Sequence, residues 1–462
     1  MLNDLAASRQ YKVIGFVITA IVSCVGLGLL FGGNAAVTTA VYTNPTPILI
    51  LAIGTLLVGL FYLLYKDWLI PPLPFLAIWT ISLFLVSIDV EYVGFYRFFN
   101  QPLSPKTWLV VLGAIFGFVI GSLYVLTLPE KGSSLFLSDK VVRAWDDARV
   151  QRAIWFSFIG GTAVFAYSVF RSGVIPLFAD QVHLARVDFR PPFWNNFFAL
   201  FMIVIVLTAI RLATVGWRKS LDTILLTLLS FIIYLLSTQR NDAWQSFLIA
   251  GVVFVALHQW HNRANPGQAT AFPFKKLVWP AVILLMLIIA FVQVGKARQL
   301  QTTQIVNIPN SSLAQLYLYT GAPAIKNLQR VLHGDVPVQE KGGLLLLRPV
   351  LWYLRFREPV TVYNVFSGPN VATFLYFYYL DFGVMGTLLI PLGLGVLCTL
   401  IYRRARRLTS PLWAVWYGLL MSCLIWTQTS ERFFEPSTLW YALLFALVHL
   451  YCQQRAGETA VS

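Results

Sequence analysis

Residues 46–65 read TPILILAIGTLLVGLFYLLY, without a single charged side chain. At a rise of about 1.5 Å per residue, a helix of this length covers about 30 Å, the thickness of the hydrocarbon core of a bilayer. No water is present there to bond to the backbone, and a helix satisfies its own backbone N–H and C=O groups. The stretch therefore predicts a membrane-spanning helix.

Runs of the same kind recur from one end of the chain to the other. The 462 residues are 58% hydrophobic and 11% charged, whereas a soluble domain carries about 25% charged residues. We expect an all-α, polytopic helical membrane protein that forms a single integral membrane domain, 1–462. Its roughly twelve transmembrane helices are predicted near 11–31, 46–65, 69–87, 107–127, 151–170, 193–211, 219–236, 243–260, 277–296, 374–401, 410–428 and 436–453.

The basic residues are spread through the short loops between these helices. The net charge of +15 therefore reflects membrane orientation, because short cytoplasmic loops carry an excess of Lys and Arg, and nucleic acid is not an expected partner. Both termini are predicted in the cytoplasm, with Asp146 and Asp147 as solvated charges in a cytoplasmic loop. The four cysteines lie in or beside apolar runs without a CxxC pair, so we expect neither disulfides nor a thiolate metal site.

Two long loops fall on the outer side, 171–192 and 297–373. A loop as long as the second is usually functional in a compact helical domain. Within it, the segment from Leu344 to Phe356 is apolar, and Pro349 suits the first turn of a helix. We therefore expect a large periplasmic loop that carries short helices, one of them an amphipathic helix on the outer interface.

Arginines are more frequent in the outer loops than orientation rules predict. A guanidinium stays charged and forks onto phosphate oxygens, so converging arginines suit a lipid diphosphate head group. For any one of them, contact with bulk lipid phosphate is the simpler interpretation. Arg240 is the exception, because it lies in a short break between two apolar runs, where a charge is costly. The other candidate diphosphate ligands are Arg186, Arg190, Arg348 and Arg355.

Acid–base candidates are fewer. Asp381 interrupts an apolar stretch and is either a catalytic group or a helix-to-helix hydrogen-bonding residue. His183 can accept a proton near neutral pH, although a solvated loop histidine is the simpler interpretation. Asp89 and Glu91 form a D-x-E pair of the kind that can hold a divalent metal, which is a weak pattern. Nucleotide-binding and metallohydrolase motifs are absent from the sequence, and no cofactor is expected.

Three segments of the chain carry a family pattern. They are Arg171-Ser-Gly-Val-Ile-Pro-Leu-Phe178 with Ala185-Arg186, then Thr238-Gln-Arg-Asn241, and then Asn370-Val-Ala-Thr-Phe374 leading to Tyr379-Leu-Asp-Phe-Gly-Val-Met-Gly386. Together they resemble the bacterial O-antigen polymerase (Wzy-type) family, which polymerises oligosaccharide repeat units. The resemblance covers roughly residues 69–401, and the third segment, similar to "N-x-x-T … Y-L-D-F-G-x-x-G", is the most specific.

The resemblance implies a GT-C-like glycosyltransferase on the outer face of the bacterial inner membrane. Such an enzyme joins repeat units carried on undecaprenyl diphosphate, for lipopolysaccharide O-antigen or a related polysaccharide. The positions of Arg186 and Arg240 imply diphosphate binding, and Asn370 is a candidate substrate ligand. The family also implies a flippase and a chain-length regulator as partners. Related ligases place a histidine beside that asparagine, whereas Pro369 precedes Asn370 here, so the general base stays unassigned.

Two other functions remain open at the level of sequence. A metal-dependent membrane glycosyltransferase that moves single sugars would use Asp89 and Glu91, and it would depend on added divalent metal. A transporter or flippase of lipid-linked or anionic solutes is the second alternative. Transporters commonly show internal repeats and charges at mid-membrane. In this sequence there is no repeat, and the unusual charges concentrate on one side, which favours chemistry at the surface.

Overall fold

The computed structural model describes residues 46–87, 102–128, 145–179, 185, 188–189, 194–264, 321–334, 345–347, 351, 373–407 and 410–453. Within these residues the fold is all-helical and contains no strand. The helices are α1 (Thr46–Tyr65), α2 (Pro72–Ser87), α3 (Pro105–Thr127), α4 (Asp147–Ser172), α5 (Ala199–Thr214), α6 (Leu221–Leu236), α7 (Arg240–Ala264), α8 (Ala322–His333), α9 (Phe374–Arg406), α10 (Pro411–Trp426) and α11 (Pro436–Cys452).

Most of these helices have the composition of membrane spans. Among the described residues, seven are long and apolar enough to cross a membrane, namely α1, α3, α4, α5, α6, α7 and α9. The shorter helices α2, α10 and α11 are also apolar. Each of these coincides with a predicted span, while the spans predicted at 11–31 and 277–296 lie outside the described residues. The helical membrane fold is confirmed, and the total of twelve spans stays a prediction.

The chain divides into two compact units, and the interpretation as one domain stays a prediction. The described residues of the first unit lie within Met1–Thr127, Asn307–Thr399 and Cys423–Phe434. Those of the second lie within Leu128–Val306, Leu400–Ser422 and Glu435–Ser462.

Aromatic rings form the core of the first unit. Phe75 of α2 stacks on Phe118 of α3 at a centroid distance of 4.1 Å. Phe374, the first residue of α9, packs on Trp79 with ring centroids 5.9 Å apart. The indole N–H of Trp79 donates to the hydroxyl of Thr427 at 3.0 Å, which satisfies a polar group in an otherwise apolar layer. These contacts place the start of α9 level with the middle of α2.

Glycines bring α3 and α9 into direct backbone contact. A Cβ on Gly117 would lie 2.7 Å from the carbonyl oxygen of Leu388, and one on Gly121 would overlap that of Leu392. On the facing helix, a Cβ on Gly395 would overlap a carbonyl oxygen of α3. Small residues spaced four apart let membrane helices approach in this way, because no side chain separates the backbones.

A sharp break divides α9, which the sequence predicts as one helix, 374–401. Gly383 has φ 61° and ψ −152°, a conformation that is essentially restricted to glycine. A Cβ on Gly386 would overlap the carbonyl oxygen of Tyr378, although a straight helix separates residues eight apart by about 12 Å. The chain therefore turns back on itself at Gly383. The prediction of a single helix was wrong here, because hydropathy does not detect a glycine-dependent reversal.

In the second unit α5 is buried on all sides. Every residue from Phe201 to Arg211 is buried, and the helix packs against α4, α6 and α7. A helix that is apolar around its whole circumference belongs in the centre of a bundle. Helices α4, α6 and α7 pack around it, and α4 and α6 carry exposed apolar residues such as Phe156 and Leu225.

Arg211 ties three helices together at the end of α5. Its guanidinium binds both carboxylate oxygens of Asp147, at 2.8 Å and 3.2 Å, and one oxygen of Asp222 at 3.1 Å. Asp146 caps the start of α4 by accepting the N–H of Ala148. The interpretation of Asp146 and Asp147 as solvated loop charges was therefore wrong, because the two residues begin a helix and one of them pairs with a buried arginine.

Candidate functional site

The turn between α6 and α7 carries Arg240. Ser237, Thr238 and Gln239 are all buried, with at most 2% of each residue exposed. Thr238 has φ 56°, which is an outlier for a β-branched residue. The carbonyl oxygen of Gln239 accepts the N–H of Ala243 at 3.1 Å, so helical hydrogen bonding starts immediately after the turn. Arg240 is accordingly the first residue of α7.

A polar cavity adjoins this turn. Its volume is about 200 Å³. Tyr234, which precedes the turn, and Asp242, which follows it, both line the cavity. All of its walls belong to the second unit. They come from the end whose loops the sequence places outside, and the described lining residues are Asn196, Phe198, Ala199, Tyr234, Asp242, Ser437 and Tyr441.

Asp381 lies in the first unit, just before the reversal at Gly383. Only 3% of the residue is exposed. One carboxylate oxygen accepts the backbone N–H of Leu345 at 3.1 Å, and the other accepts that of Leu346 at 2.7 Å. Leu345 also packs into a small apolar cluster with Val331. The carboxylate thus fixes a turn of the long loop 297–373 to α9.

This geometry bears on the role of Asp381. A carboxylate that accepts two backbone N–H groups satisfies donors that would be costly to leave unpaired in a buried place. The sequence leaves catalysis and hydrogen bonding equally open, and the two contacts favour the second. The partner is a loop backbone rather than another helix.

Glu431 plays a similar part in the first unit. It is 8% exposed, and its carboxylate accepts the backbone N–H of Phe433 at 2.8 Å and of Phe434 at 3.1 Å. The hydroxyl of Tyr378 also donates to it, at 3.4 Å. Glu431 therefore holds the short connection between α10 and α11.

Helix α8 lies in the long loop 297–373, and it brings polar groups into the first unit. Lys326, Asn327 and Gln329 are at most 2% exposed. The Gln329 side chain accepts from the N–H of Ser104 at 3.2 Å and donates to the carbonyl of Pro102 at 3.1 Å. These bonds seat α8 against the start of α3. A short helix within the predicted loop 297–373 agrees with the predicted fold, and the outer side of that loop stays a prediction.

The amphipathic helix predicted at Leu344 to Phe356 is only partly described. The N–H of Leu351 donates to the carbonyl of Leu347 at 2.9 Å, which is the i to i−4 hydrogen bond of an α-helix. The rest of that segment lies outside the described residues, so the helix stays a prediction.

The predicted site residues are unevenly placed in the structure. Arg240 belongs to the second unit and Asp381 to the first. The structure describes the backbone position of Arg240, and it describes the buried side chain of Asp381 with its two hydrogen bonds. The remaining candidates lie outside the described residues: His183, Arg186, Arg190, Arg348, Arg355, Asn370, Asp89 and Glu91. Their roles stay predictions. Within the described part of the chain, no group of three or more His, Cys, Asp or Glu residues is placed to hold a metal ion.

Several polar residues of these sites escape the sequence patterns. Asn196, Tyr234, Ser437 and Tyr441 belong to no motif, and their only common feature is a position at the predicted outer end of a span. Buried Lys326 was missed as well. The helical spacing of apolar residues within 322–333 could have predicted the helix that carries it, and glycines with positive φ bound this helix at 321 and 334.

Comparisons with protein-family models, curated proteins and solved structures find no match to this chain. The resemblance to the O-antigen polymerase family therefore rests on the three segments alone.

Proposed function

We propose that this protein polymerises oligosaccharide repeat units carried on undecaprenyl diphosphate, at the periplasmic face of the bacterial inner membrane. The product would be O-antigen or a related surface polysaccharide. The proposal includes about twelve spans in a GT-C-like architecture, cytoplasmic termini, and a flippase and chain-length regulator as partners. It takes these features from the family resemblance.

The observation that carries the proposal is the buried turn at 237–239. A polar turn with a β-branched residue at positive φ, set between two apolar helices, is unfavourable in itself. Strain of this kind is concentrated at functional sites. The turn begins α7 at Arg240 and lies beside the polar cavity. It thus supports a surface reaction that uses the arginine at the start of α7.

The chemistry requires a cation at the leaving group. A hydroxyl oxygen of the acceptor sugar forms a bond to the anomeric carbon of the donor, while the bond from that carbon to the diphosphate oxygen breaks. The lipid diphosphate leaves with the bonding electrons, and the hydroxyl proton passes to a base. Arginine can fork onto the diphosphate oxygens and neutralise the developing charge. We assign this role to Arg240, with Arg186, Arg190, Arg348 and Arg355 as further candidates.

The test is chain growth by the purified protein. It is incubated with a polyprenyl-diphosphate-linked oligosaccharide, with and without EDTA, and the products are separated by length. We expect a ladder that survives EDTA, whereas loss of the ladder with EDTA would favour a metal-dependent transferase using Asp89 and Glu91. No ladder from folded protein would refute polymerisation and favour transport.

The arginine is tested with matched variants. Arg240→Ala should abolish the ladder, and Arg240→Lys should lower it strongly, because a point charge does not replace the planar fork. The control is Arg218→Ala, which removes an exposed arginine at the opposite end of α6. Normal ladders from folded Arg240→Ala protein would remove this residue from the site.

A further inference from the structure

The lining of the polar cavity indicates the class of ligand that it accepts. Its walls supply a carboxylate from Asp242, an amide from Asn196, and hydroxyls from Ser437, Tyr234 and Tyr441. Carboxylates accept hydrogen bonds, and amides and hydroxyls both donate and accept. Among the lining residues that the structure describes, none is Lys or Arg. This combination suits a neutral ligand with several hydroxyl groups.

The aromatic residues of the cavity give it a second property. Tyr234 is fully buried and Tyr441 is 8% exposed, so both rings are held within the protein. An aromatic residue of this kind combines an apolar body with a polar hydroxyl. A sugar ring has the same mixed character, with C–H groups on its faces and hydroxyls around its edge.

Hydrogen bonds fix the walls before any ligand binds. The hydroxyl of Tyr234 donates to the carbonyl oxygen of Phe198 at 3.0 Å. The indole N–H of Trp440 donates to the carbonyl oxygen of Asn196 at 3.1 Å, and the Ser437 hydroxyl donates to Glu435 at 3.2 Å. The first two bonds join α6 and α11 to the segment that leads into α5, and the third orders the start of α11. A preformed cavity loses less entropy when it binds its ligand.

The size of the cavity limits its occupant. Pockets that hold drug-sized ligands measure about 300–1,000 Å³, and this one measures about 200 Å³. It therefore has room for about one ring. We propose that the cavity binds a single neutral sugar ring of a glycan, and that Asp242 accepts hydrogen bonds from its hydroxyls. That the glycan is the repeat unit rests on the proposed function.

The test measures binding to the purified full-length protein without requiring turnover. The probes are methyl glycosides of common neutral sugars, with inorganic pyrophosphate as the anionic probe, and binding is followed by saturation-transfer NMR. We expect at least one glycoside to bind saturably. Asp242→Asn should weaken that binding about tenfold or more, because a charge-assisted hydrogen bond is lost. Pyrophosphate binding should not depend on Asp242.

Two further variants control the result. Asp188→Asn removes an exposed carboxylate of the second unit that does not line the cavity, and it should bind glycosides as the wild type does. Ser437→Ala makes a smaller change to the lining and should weaken binding several-fold. If thermal unfolding shows that the Asp242→Asn protein does not fold, the binding measured with Ser437→Ala decides the test. No saturable glycoside binding, or full affinity in both cavity variants, would overturn the proposal.

The chain-growth assay separates this inference from the proposed function. A wild-type ladder, together with unchanged glycoside affinity in the cavity variants, would leave polymerisation standing and remove the sugar site. Glycoside binding that depends on Asp242, in a protein that forms no ladder, would keep the sugar site and refute polymerisation.

Discussion

Replacing Asp381 with asparagine tests whether this carboxylate holds the outer loop in place. The wild-type carboxylate accepts the N–H groups of Leu345 and Leu346, one with each oxygen. Asparagine offers one carbonyl oxygen and one NH₂ group, so one backbone N–H then faces another donor. The substitution keeps the shape of the side chain and removes one of the two bonds.

The size of the effect follows from these two contacts. A hydrogen bond to a charged group contributes about 1.5–3 kcal/mol, and a neutral one about 0.5–1.5 kcal/mol. Asparagine loses one charged bond and converts the other to a neutral one, so the free energy of local opening should fall by about 2.5–4.5 kcal/mol. At 1.4 kcal/mol for each factor of ten, the amides should exchange about 60- to 1,600-fold faster.

Hydrogen exchange in detergent measures this directly, on peptides that cover residues 344–347. Asp146→Asn is the control. Asp146 accepts the N–H of Ala148 in the second unit, so this substitution should speed hydrogen exchange only at the start of α4. Unchanged exchange at Leu345 and Leu346 in folded Asp381→Asn protein would refute the holding role. Unchanged exchange with loss of chain growth would instead make Asp381 a catalytic group.

Two further predictions concern stability. Replacing both Asp147 and Asp222 with asparagine should lower the free energy of unfolding by about 3–5 kcal/mol, because the buried guanidinium of Arg211 loses its charged partners. Arg211→Met should lower it less, since the side chains of Asp147 and Asp222 are 43% and 34% exposed and can be hydrated. Equal shifts of the two variants in thermal unfolding would contradict this order. Gly383→Ala should cost about 1–3 kcal/mol through its positive φ. Gly393→Ala, where a Cβ meets nothing within 4 Å, should be neutral or stabilising, and a loss as large as that of Gly383→Ala would count against the backbone explanation.

The sequence predicts the spans well because a membrane imposes a length and a composition on each of them. The helix predicted at 46–65 is observed as Thr46–Tyr65, with the same bounds. The span predicted at 193–211 is less accurate, because a short 3-10 helix occupies Trp194–Phe198 and α5 begins only at Ala199. Hydropathy averages over such a boundary and does not distinguish the two helix types.

The candidate sites are harder to predict because they depend on contacts between distant segments. Asp381 stands out in sequence, yet its partners Leu345 and Leu346 are ordinary apolar residues that offer only backbone N–H groups. The polar cavity likewise joins Asn196 and Ser437, which are more than two hundred residues apart. Neither pairing leaves a local pattern, since the tertiary fold alone brings these groups together.

The reversal at Gly383 changes how topology experiments on α9 should be interpreted, because hydropathy counts this helix as one membrane crossing. Hydropathy assigns one long crossing to α9, but the backbone divides it into Phe374–Phe382 and a longer segment after the glycine. Nine residues of helix extend about 14 Å, less than half of a hydrocarbon core. A reporter or accessibility tag placed at Thr373 would therefore sit at the buried start of a half-length helix. Weak labelling there would reflect shielding by the protein, and it should not be taken as evidence for the opposite side of the membrane.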